Sequence, residues 1–346
     1  MNYTEEYLCD LEKIQVAIPN LRILYQKRIL ITGASGMIGS AIVDFLLQLN
    51  RKQSYGIEIY VAGRSKARIE KRFKNLCQNS HFHFLEYDAT KNIEFKEHFD
   101  YIIHAASNAN PSVYVKFPVE TMLSNFEGML HLLEYARKKD VGRVLYVSSS
   151  EVYGKKETSA SYEEGDYGYV NILNTRACYP SAKRATETLC AAYRDEYGVN
   201  FVVVRPGHIY GPTMTEEDTR ASSQFARNAI AGEDIVMKSA GLQVRSYCYV
   251  LDCVSAILTV LLRGTSGEAY NISNPNSICT IREIAEAFAE VGGCKVIFEN
   301  ATEMEQKGYN LMDNAVLDSK KLLDLGWNGM FDVKEGVAKT IREATK

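Results

Sequence analysis

Tyr179 and Lys183 stand four residues apart in a stretch that favours a helix. Residues at that spacing lie on one helix face, one turn from each other. A free phenol has a pKa of about 10 and is a poor base at neutral pH, and we expect the Lys183 ammonium to lower that pKa. Ser149, expected at the end of a strand, can hold a substrate hydroxyl beside the phenol. The three residues predict removal of a hydroxyl proton while a hydride leaves the same carbon for a nicotinamide.

A glycine-rich turn at residues 32–39 strengthens this interpretation, because Tyr-x-x-x-Lys alone is common on helix surfaces. The turn has the spacing G-x-x-G-x-x-G, follows a β-branched run and precedes an apolar helix face. Such a turn lets the backbone approach a pyrophosphate at the helix N-terminus. The alternative is a glycine-rich connection that binds nothing. We therefore expect dinucleotide contacts at Gly33, Ser35, Gly36, Met37, Ile38 and Gly39.

Strand and helix patterns alternate through the first half of the chain, which predicts an α/β fold with a doubly wound parallel sheet. The helices expected between the strands include Val119–Lys138 and Tyr179–Tyr197. A capping box at residues 280–283 predicts the start of a later helix. The expected strands are Arg28–Thr32, Ile57–Ala62, Phe82–Tyr87, Tyr101–His104, Val144–Ser148 and Phe201–Arg205.

The pattern divides the chain into three parts. Residues 1–27 form an N-terminal arm, and residues 28–210 form a dinucleotide-binding domain with a return segment near 247–262. Residues 211–346 form mainly a smaller, substrate-binding lobe. Ligands of doubly wound sheets bind at the carboxyl ends of the strands, so we expect the lobe to lie over those ends.

Composition excludes several classes of protein. The 346 residues carry a net charge of −3, which argues against a nucleic-acid partner held by general electrostatics. Eight scattered cysteines form no Cys-x-x-Cys pair, so we expect no metal site and no disulfide framework. No apolar run is long enough to span a membrane, and the N-terminus lacks a signal-peptide pattern. Reduced thiols then predict a cytoplasmic protein.

Several stretches resemble the extended short-chain dehydrogenase/reductase family, also called the NAD-dependent epimerase/dehydratase family. The resemblance runs from Arg28 onward and is greatest to UDP-glucuronate decarboxylases. It implies a Rossmann sheet and a likeness to enzymes that act on nucleotide sugars. The similar stretches are His104-Ala105-Ala106-Ser107, Ser149-Ser150-Glu151-Val152-Tyr153-Gly154, Arg176-Ala177-Cys178-Tyr179, Gln243-Val244-Arg245-Ser246-Tyr247 and Tyr249-Val250-Leu251-Asp252.

The resemblance implies an NAD(P)-dependent lyase or related enzyme that works through a 4-keto sugar and forms a homodimer. Decarboxylation, 4,6-dehydration and C5 epimerisation all fit, with Glu151 and Ser150 handling a proton at C5 or C6. The implied catalytic residues are Ser149, Ser150, Glu151, Tyr179 and Lys183. Further cofactor contacts are implied at Arg64, Asp88, Ala89, Ala105, Ala106, Ser107, Asn125, Tyr179 and Lys183. Substrate contacts are implied at Ser107, Tyr114, His208 and Arg245.

The cofactor, the class of function and the substrate each stay open. Gly63-Arg64 stands where an acidic residue would bind the ribose of NAD, and an Arg there favours the 2′-phosphate of NADP, whereas the resemblance favours NAD. An NADPH-dependent reductase or epimerase of a nucleotide-linked sugar or polyol is therefore the second hypothesis, and a non-catalytic NADP sensor is the last. His208 replaces the Asn usual in the family, so the nucleotide or sugar can differ.

Overall fold

The central sheet of the computed structural model has seven strands, all parallel. The structure describes residues 3–74, 79–107, 109–302 and 314–345. The strand order is β10-β6-β5-β4-β1-β2-β3, so the order reverses beside β1. The strands are β1 (Arg28–Thr32), β2 (Glu58–Gly63), β3 (Phe82–Glu86), β4 (Tyr101–His104), β5 (Arg143–Val147), β6 (Phe201–Pro206) and β10 (Ala269–Ile272).

Helices cover both faces of the sheet, which explains why its strands are almost continuously apolar. Ile29, Leu30 and Ile31 of β1, for example, are completely buried. The doubly wound parallel fold is thus confirmed, and the expected strands recur within a residue at each end. The helices are α1 (Glu5–Lys13), α2 (Met37–Gln53), α3 (Lys66–Arg72), α4 (Pro111–Lys116), α5 (Pro118–Lys139), α6 (Cys178–Tyr197), α7 (Ala221–Ala231), α8 (Val250–Arg263), α9 (Ile281–Gly292), α10 (Lys320–Leu323) and α11 (Val333–Ala344).

The smaller lobe contains two short sheets built mostly from residues after 206. In the larger one, β9 pairs with β7, β11 and β13, and in the other β12 pairs with β8. The expected capping box is present, because Thr280 and Glu283 exchange hydrogen bonds at the start of α9. The strands are β7 (His208–Tyr210), β8 (Ile235–Met237), β9 (Val244–Tyr249), β11 (Ile278–Thr280), β12 (Val296–Phe298) and β13 (Asn314–Ala315).

The chain crosses between the two parts more often than the expected ranges imply. Strand β10 belongs to the central sheet although it lies beyond residue 210, and β7 belongs to the small sheet although it lies before it. The return segment near 247–262 is mostly helix α8, which packs on α2 and β6. The N-terminal arm is fixed to the last helix, since Lys339 donates a 2.9 Å hydrogen bond to Asp10.

In the described part of the chain, no helix is both long and apolar enough to cross a membrane. Within the same residues, no group of three or more His, Cys, Asp or Glu side chains could hold a metal ion.

Candidate active site

The glycine turn joins β1 to α2, and two of its three glycines, Gly33 and Gly39, have no room for a Cβ. Gly33 has a φ of +72°, and a Cβ there would lie 2.6 Å from the Ala105 carbonyl oxygen. Gly36 caps the N-terminus of α2, and its N–H donates to the Gly33 carbonyl at 3.0 Å. A Cβ on Gly39 would collide with the Gly33 carbonyl group. The turn is therefore a tight backbone cradle at a helix N-terminus, beside the point where the strand order reverses.

The residues after β4 form the wall next to this cradle. The Ala106 N–H donates a 3.3 Å bond to the Thr32 hydroxyl, which lies 2.7 Å from His104 Nδ1. Ser107 Oγ donates to Asn125 Oδ1 at 2.9 Å and so ties the loop to α5. The structure thus brings Ala105, Ala106, Ser107 and Asn125 to the side of the glycine turn.

A cavity of about 390 Å³ lies at the carboxyl ends of β2 and β3. Arg64 follows β2 and lines it, as does Asp88, which follows β3. Asp88 accepts bonds from the Thr90 N–H at 3.1 Å and the Thr90 hydroxyl at 2.9 Å, and these lower the pKa of the Asp88 carboxyl. The next residue, Ala89, packs near α5, where its carbonyl lies 3.2 Å from His131 Nδ1. The lining is mixed in charge: Arg64, Glu86, Asp88, Lys91 and Glu94.

Tyr179 and Lys183 lie one turn apart on α6, and both are buried. Lys183 Nζ donates to the Val147 carbonyl at 2.9 Å. It lies 5.6 Å from the centre of the Tyr179 ring and 4.7 Å from that of Tyr146. Burial lowers the pKa of Lys183 to about 7. The expected pair is therefore formed, with the cation held at the end of β5.

The Tyr179 phenol does not show the lowered pKa that we expected from Lys183. Burial, followed by the nearby negative charge of Glu151, raises its pKa to about 12. Hydrogen bonds with Ser149 and Tyr114 and the charge of Arg220 act in the opposite direction. The physical reason for the difference is that Lys183 directs its amino group to the Val147 carbonyl of β5, and burial also disfavours its charged form. Desolvation of the phenol is therefore the largest effect on the pKa of Tyr179.

Ser149, Ser150 and Glu151 follow β5 and open a short 3₁₀ turn, Ser150–Tyr153. Ser149 Oγ accepts from the Glu151 N–H at 3.2 Å, and Ser150 is buried in the turn. The Glu151 carboxylate accepts two hydrogen bonds from Arg176, both 2.9 Å long. Glu151 is therefore a fixed, paired carboxylate near the Tyr179 phenol and not a free acid at the end of a strand.

Tyr114 of α4 completes this part of the site. Its ring is buried and stacks on the Tyr179 ring with 4.5 Å between centroids and 11° between planes. The guanidinium of Arg176 lies 5.0 Å from the centre of the Tyr114 ring. The candidate substrate residue Tyr114 thus contacts the candidate base directly.

His208 of β7 and Arg245 of β9 lie on neighbouring strands of the smaller lobe, where β7 pairs with β9. Burial, followed by the charges of Arg245 and Arg220, lowers the pKa of His208 to about 3, so its imidazole is neutral at pH 7. Its Nδ1 is buried and makes no hydrogen bond to the described residues. A neutral His and two guanidinium groups suit a negatively charged ligand whose polar atoms can meet that nitrogen.

Two arginines of the site were not assigned a role from the sequence. Arg176 lies in one of the similar stretches, but nothing in its spacing points to Glu151. Arg220 precedes α7, binds Asp218 at 2.5 Å and brings Nη2 to 3.6 Å from the Met37 sulfur in the glycine turn. No local pattern in the sequence signals this contact, because it joins residues 183 positions apart.

Residues 29–273 match the family described as the NAD dependent epimerase/dehydratase family. UDP-glucuronic acid decarboxylase 6 of Arabidopsis thaliana is 32% identical over 314 residues, which cover 90% of this chain and 86% of that protein. UDP-glucuronic acid decarboxylase 1 of Xenopus tropicalis is 31% identical over 318 residues, which cover 91% of this chain and 72% of that protein.

Solved structures share the fold over nearly the whole chain. Epimerase Mth375 of Methanothermobacter thermautotrophicus aligns with a TM-score of 0.81 at 21% identity, covering 95% of each chain. The Thermus thermophilus UDP-glucose 4-epimerase, solved as a complex with NAD, aligns with a TM-score of 0.77 at 25% identity. It covers 91% of this chain and 98% of that chain.

Proposed function

The chain belongs to the NAD dependent epimerase/dehydratase family, and we propose that it is a redox-neutral enzyme that converts a nucleotide sugar through a 4-keto intermediate. The observation that carries the proposal is that two proton-transfer groups, Tyr179 and Glu151, share one site. Tyr114 stacks on the Tyr179 ring and lies against Arg176, which makes the paired hydrogen bonds to Glu151. A simple reductase needs only the first of these groups. The names of the relatives favour a UDP-glucuronate decarboxylase-like reaction, with a 4,6-dehydratase-like reaction next.

The glycine cradle fits a dinucleotide, because the close backbone packing at Gly33 and Gly39 makes a tight turn that ends at the N-terminus of α2, where backbone N–H groups can meet a pyrophosphate. When bound there, NAD(P)⁺ supplies a hydride acceptor for the sugar C4. Tyr179 then takes the proton of the C4 hydroxyl, which Ser149 holds in place. Lys183, fixed by the Val147 carbonyl, supplies positive charge on one side of the phenol ring when it is protonated, which is below its pKa of about 7. We propose that the other expected cofactor residues, which follow the strands β1, β2, β3 and β4, contact the parts of the cofactor outside the pyrophosphate.

Glu151 and Ser150 serve the second step. With a C6 carboxylate, the C4 ketone makes a β-keto acid, so the C5–C6 bond breaks, carbon dioxide leaves and C5 takes up a proton. With a C6 hydroxyl, a proton leaves C5 and water leaves C6. Either proton transfer requires a carboxyl group held in a defined position, and the paired hydrogen bonds from Arg176 provide one. The hydride then returns, to C4 after decarboxylation or to C6 after dehydration with a proton to C5, so the overall reaction is redox-neutral. The smaller lobe closes the site and keeps the ketone from water until then.

A one-way NADPH-dependent reductase is the second candidate, favoured by the place of Arg64 in the cavity after β2. A 2′-phosphate would meet Arg64 and Lys91 there, against the opposing charge of Asp88. NADP over NAD is therefore the finer proposal, while the family itself is NAD dependent.

We also propose a homodimer and a cytoplasmic location. Helix α5 exposes a stripe of apolar side chains at helical spacing, and a second copy of the chain would cover it. The stripe consists of Val119, Met122, Leu123 and Phe126. The location is proposed from the cysteine pattern of the sequence alone.

The reaction is tested by incubating the protein and NAD⁺ or NADP⁺ with UDP-glucuronate, dTDP-glucose, UDP-glucose and GDP-mannose, and following product mass. Loss of carbon dioxide identifies a decarboxylase, loss of water a dehydratase, and an unchanged mass with altered retention an epimerase. A parallel incubation with NADPH in place of the oxidised cofactor tests the second candidate, and stoichiometric consumption of NADPH would establish the reductase instead. Failure of all four sugars to react would refute the proposed substrate class.

A further inference from the structure

Arg176 contacts both halves of the site. Its Nη1 and Nη2 each donate a 2.9 Å hydrogen bond to Glu151, and its guanidinium lies 5.0 Å from the centre of the Tyr114 ring. The side chains of Arg176 and Glu151 are only 17% and 21% exposed, so solvent screens the pair weakly. A bidentate pair in such surroundings fixes the orientation of the carboxylate.

The Tyr114 ring transmits this arrangement to the candidate base. Its other neighbour is the Tyr179 ring, stacked with 4.5 Å between centroids and 11° between planes. Arg176, Tyr114 and Tyr179 therefore form a continuous stack, with Glu151 fixed at the end that carries the guanidinium. A change at Arg176 can reach Tyr179 through ring position as well as through charge.

The charges around Tyr179 give Arg176 a second role. Glu151 opposes ionisation of the Tyr179 phenol, because like charges at short range disfavour the charged form. Arg176 carries the positive charge in direct contact with that carboxylate. Among the described residues, the other charged or titratable groups near Tyr179 are Lys183 and Cys178 on its own helix, Tyr114 of α4, Tyr146 of β5 and Arg220 before α7.

We propose that Arg176 is a positioning residue shared by both proton-transfer groups: it orients the Glu151 carboxylate for the second step and offsets the charge of that carboxylate beside Tyr179 in the first. The inference rests on the proposed function, which gives Tyr179 and Glu151 their separate steps. It adds that one guanidinium couples the two steps. A purely structural Arg176 would anchor the turn before α6 and leave the pH dependence of C4 oxidation unchanged.

The test compares Arg176→Ala, Arg176→Lys and the double variant Arg176→Ala/Glu151→Gln. Arg137→Ala is the matched control, because Arg137 binds Glu134 through Nε at 3.0 Å and Nη2 at 2.6 Å and lies 5.1 Å from the Tyr197 ring. Each protein is mixed with NAD⁺ and UDP-glucuronate across a range of pH. The near-ultraviolet absorbance of reduced nicotinamide reports C4 oxidation, mass spectrometry reports product, and thermal unfolding reports the fold.

Arg176→Ala is expected to move the pH profile of C4 oxidation to higher pH and to slow product formation on the order of tenfold to a hundredfold. The double variant is expected to return the pH profile to or below that of the parent, because the uncompensated charge is gone, while product formation stays slow. Arg176→Lys is expected to keep the profile, since it keeps the charge, and to slow product formation, since one ammonium cannot make the bidentate pair. Arg137→Ala is expected to match the parent.

An unchanged pH profile in Arg176→Ala would overturn the proposal, as would a profile that the double variant fails to restore. If Arg176→Ala does not fold, Arg176→Lys decides the matter: product formation equal to that of the parent refutes the positioning role. A parent protein that oxidises neither UDP-glucuronate nor any other sugar of the panel refutes the proposed function itself. That result differs from one in which the parent is active and the Arg176 variants behave like the parent, which refutes only the role of Arg176.

Discussion

Replacing Glu151 by Gln separates the two proton transfers. Gln keeps the shape of the side chain but removes its negative charge, its capacity as a base or acid, and one of the two acceptors for Arg176. Tyr179, Ser149 and Lys183 are untouched. We therefore expect C4 oxidation to continue, with its pH profile moved to lower pH because the charge that raises the pKa of Tyr179 is gone.

The magnitudes follow from the contacts of the carboxylate. Loss of a positioned acid–base group slows the step that it serves by about 10²–10⁴-fold. Loss of one charge-assisted hydrogen bond in a mostly buried pair lowers the free energy of unfolding by about 1.5–3 kcal/mol. The second step should therefore stall while the protein stays folded, and a 4-keto sugar should accumulate on the enzyme.

The assay follows the absorbance of reduced nicotinamide after mixing with UDP-glucuronate, and then the product mass. Glu134→Gln serves as the control, because Glu134 also accepts two hydrogen bonds from one arginine, Arg137, on the last turns of α5 and outside the candidate site. An unimpaired overall rate would return Glu151 to the role of an acid at the end of a strand. Loss of C4 oxidation with cofactor still bound would place Glu151 in the first step or in substrate binding.

Three further predictions concern the base, the cofactor and the turn. Tyr179→Phe keeps the ring stack on Tyr114, so the protein should unfold near the parent temperature while turnover falls by about 10²–10⁴-fold. The control Tyr270→Phe removes a phenol that accepts one hydrogen bond and should keep full activity. A Tyr179 variant as active as the parent would refute the mechanism. Arg64→Ala should weaken NADP binding on the order of tenfold to a hundredfold in calorimetry and spare NAD, whereas equal losses would assign Arg64 to structure or to the shared pyrophosphate. Gly39→Ala places a Cβ 2.8 Å from the Gly33 carbonyl carbon, so the free energy of unfolding should fall by about 1–3 kcal/mol and the cofactor should bind more weakly. Unchanged cofactor binding would show that the turn does not hold the dinucleotide.

The fold was predictable because its signals are local. Each strand of the central sheet is a short apolar run, and each helix carries its own periodicity, so alternation alone indicated the parallel sheet. The sheet to which β7 and β10 each belong was not predictable in this way, since short strands of similar composition fit either sheet. Pairing with β9 and β6 decided their places.

The sequence by itself determined the pairs whose geometry one element fixes. Tyr179 and Lys183 must lie one turn apart on any helix, and the glycines at 33, 36 and 39 must follow one strand and begin one helix. Only the tertiary structure placed Arg176 on Glu151, Tyr114 on Tyr179 and Arg220 beside the glycine turn. It also reversed the expected shift of the Tyr179 pKa. The physical reason is that burial and long-range charge depend on packing between elements, whereas spacing within one element depends only on its repeat.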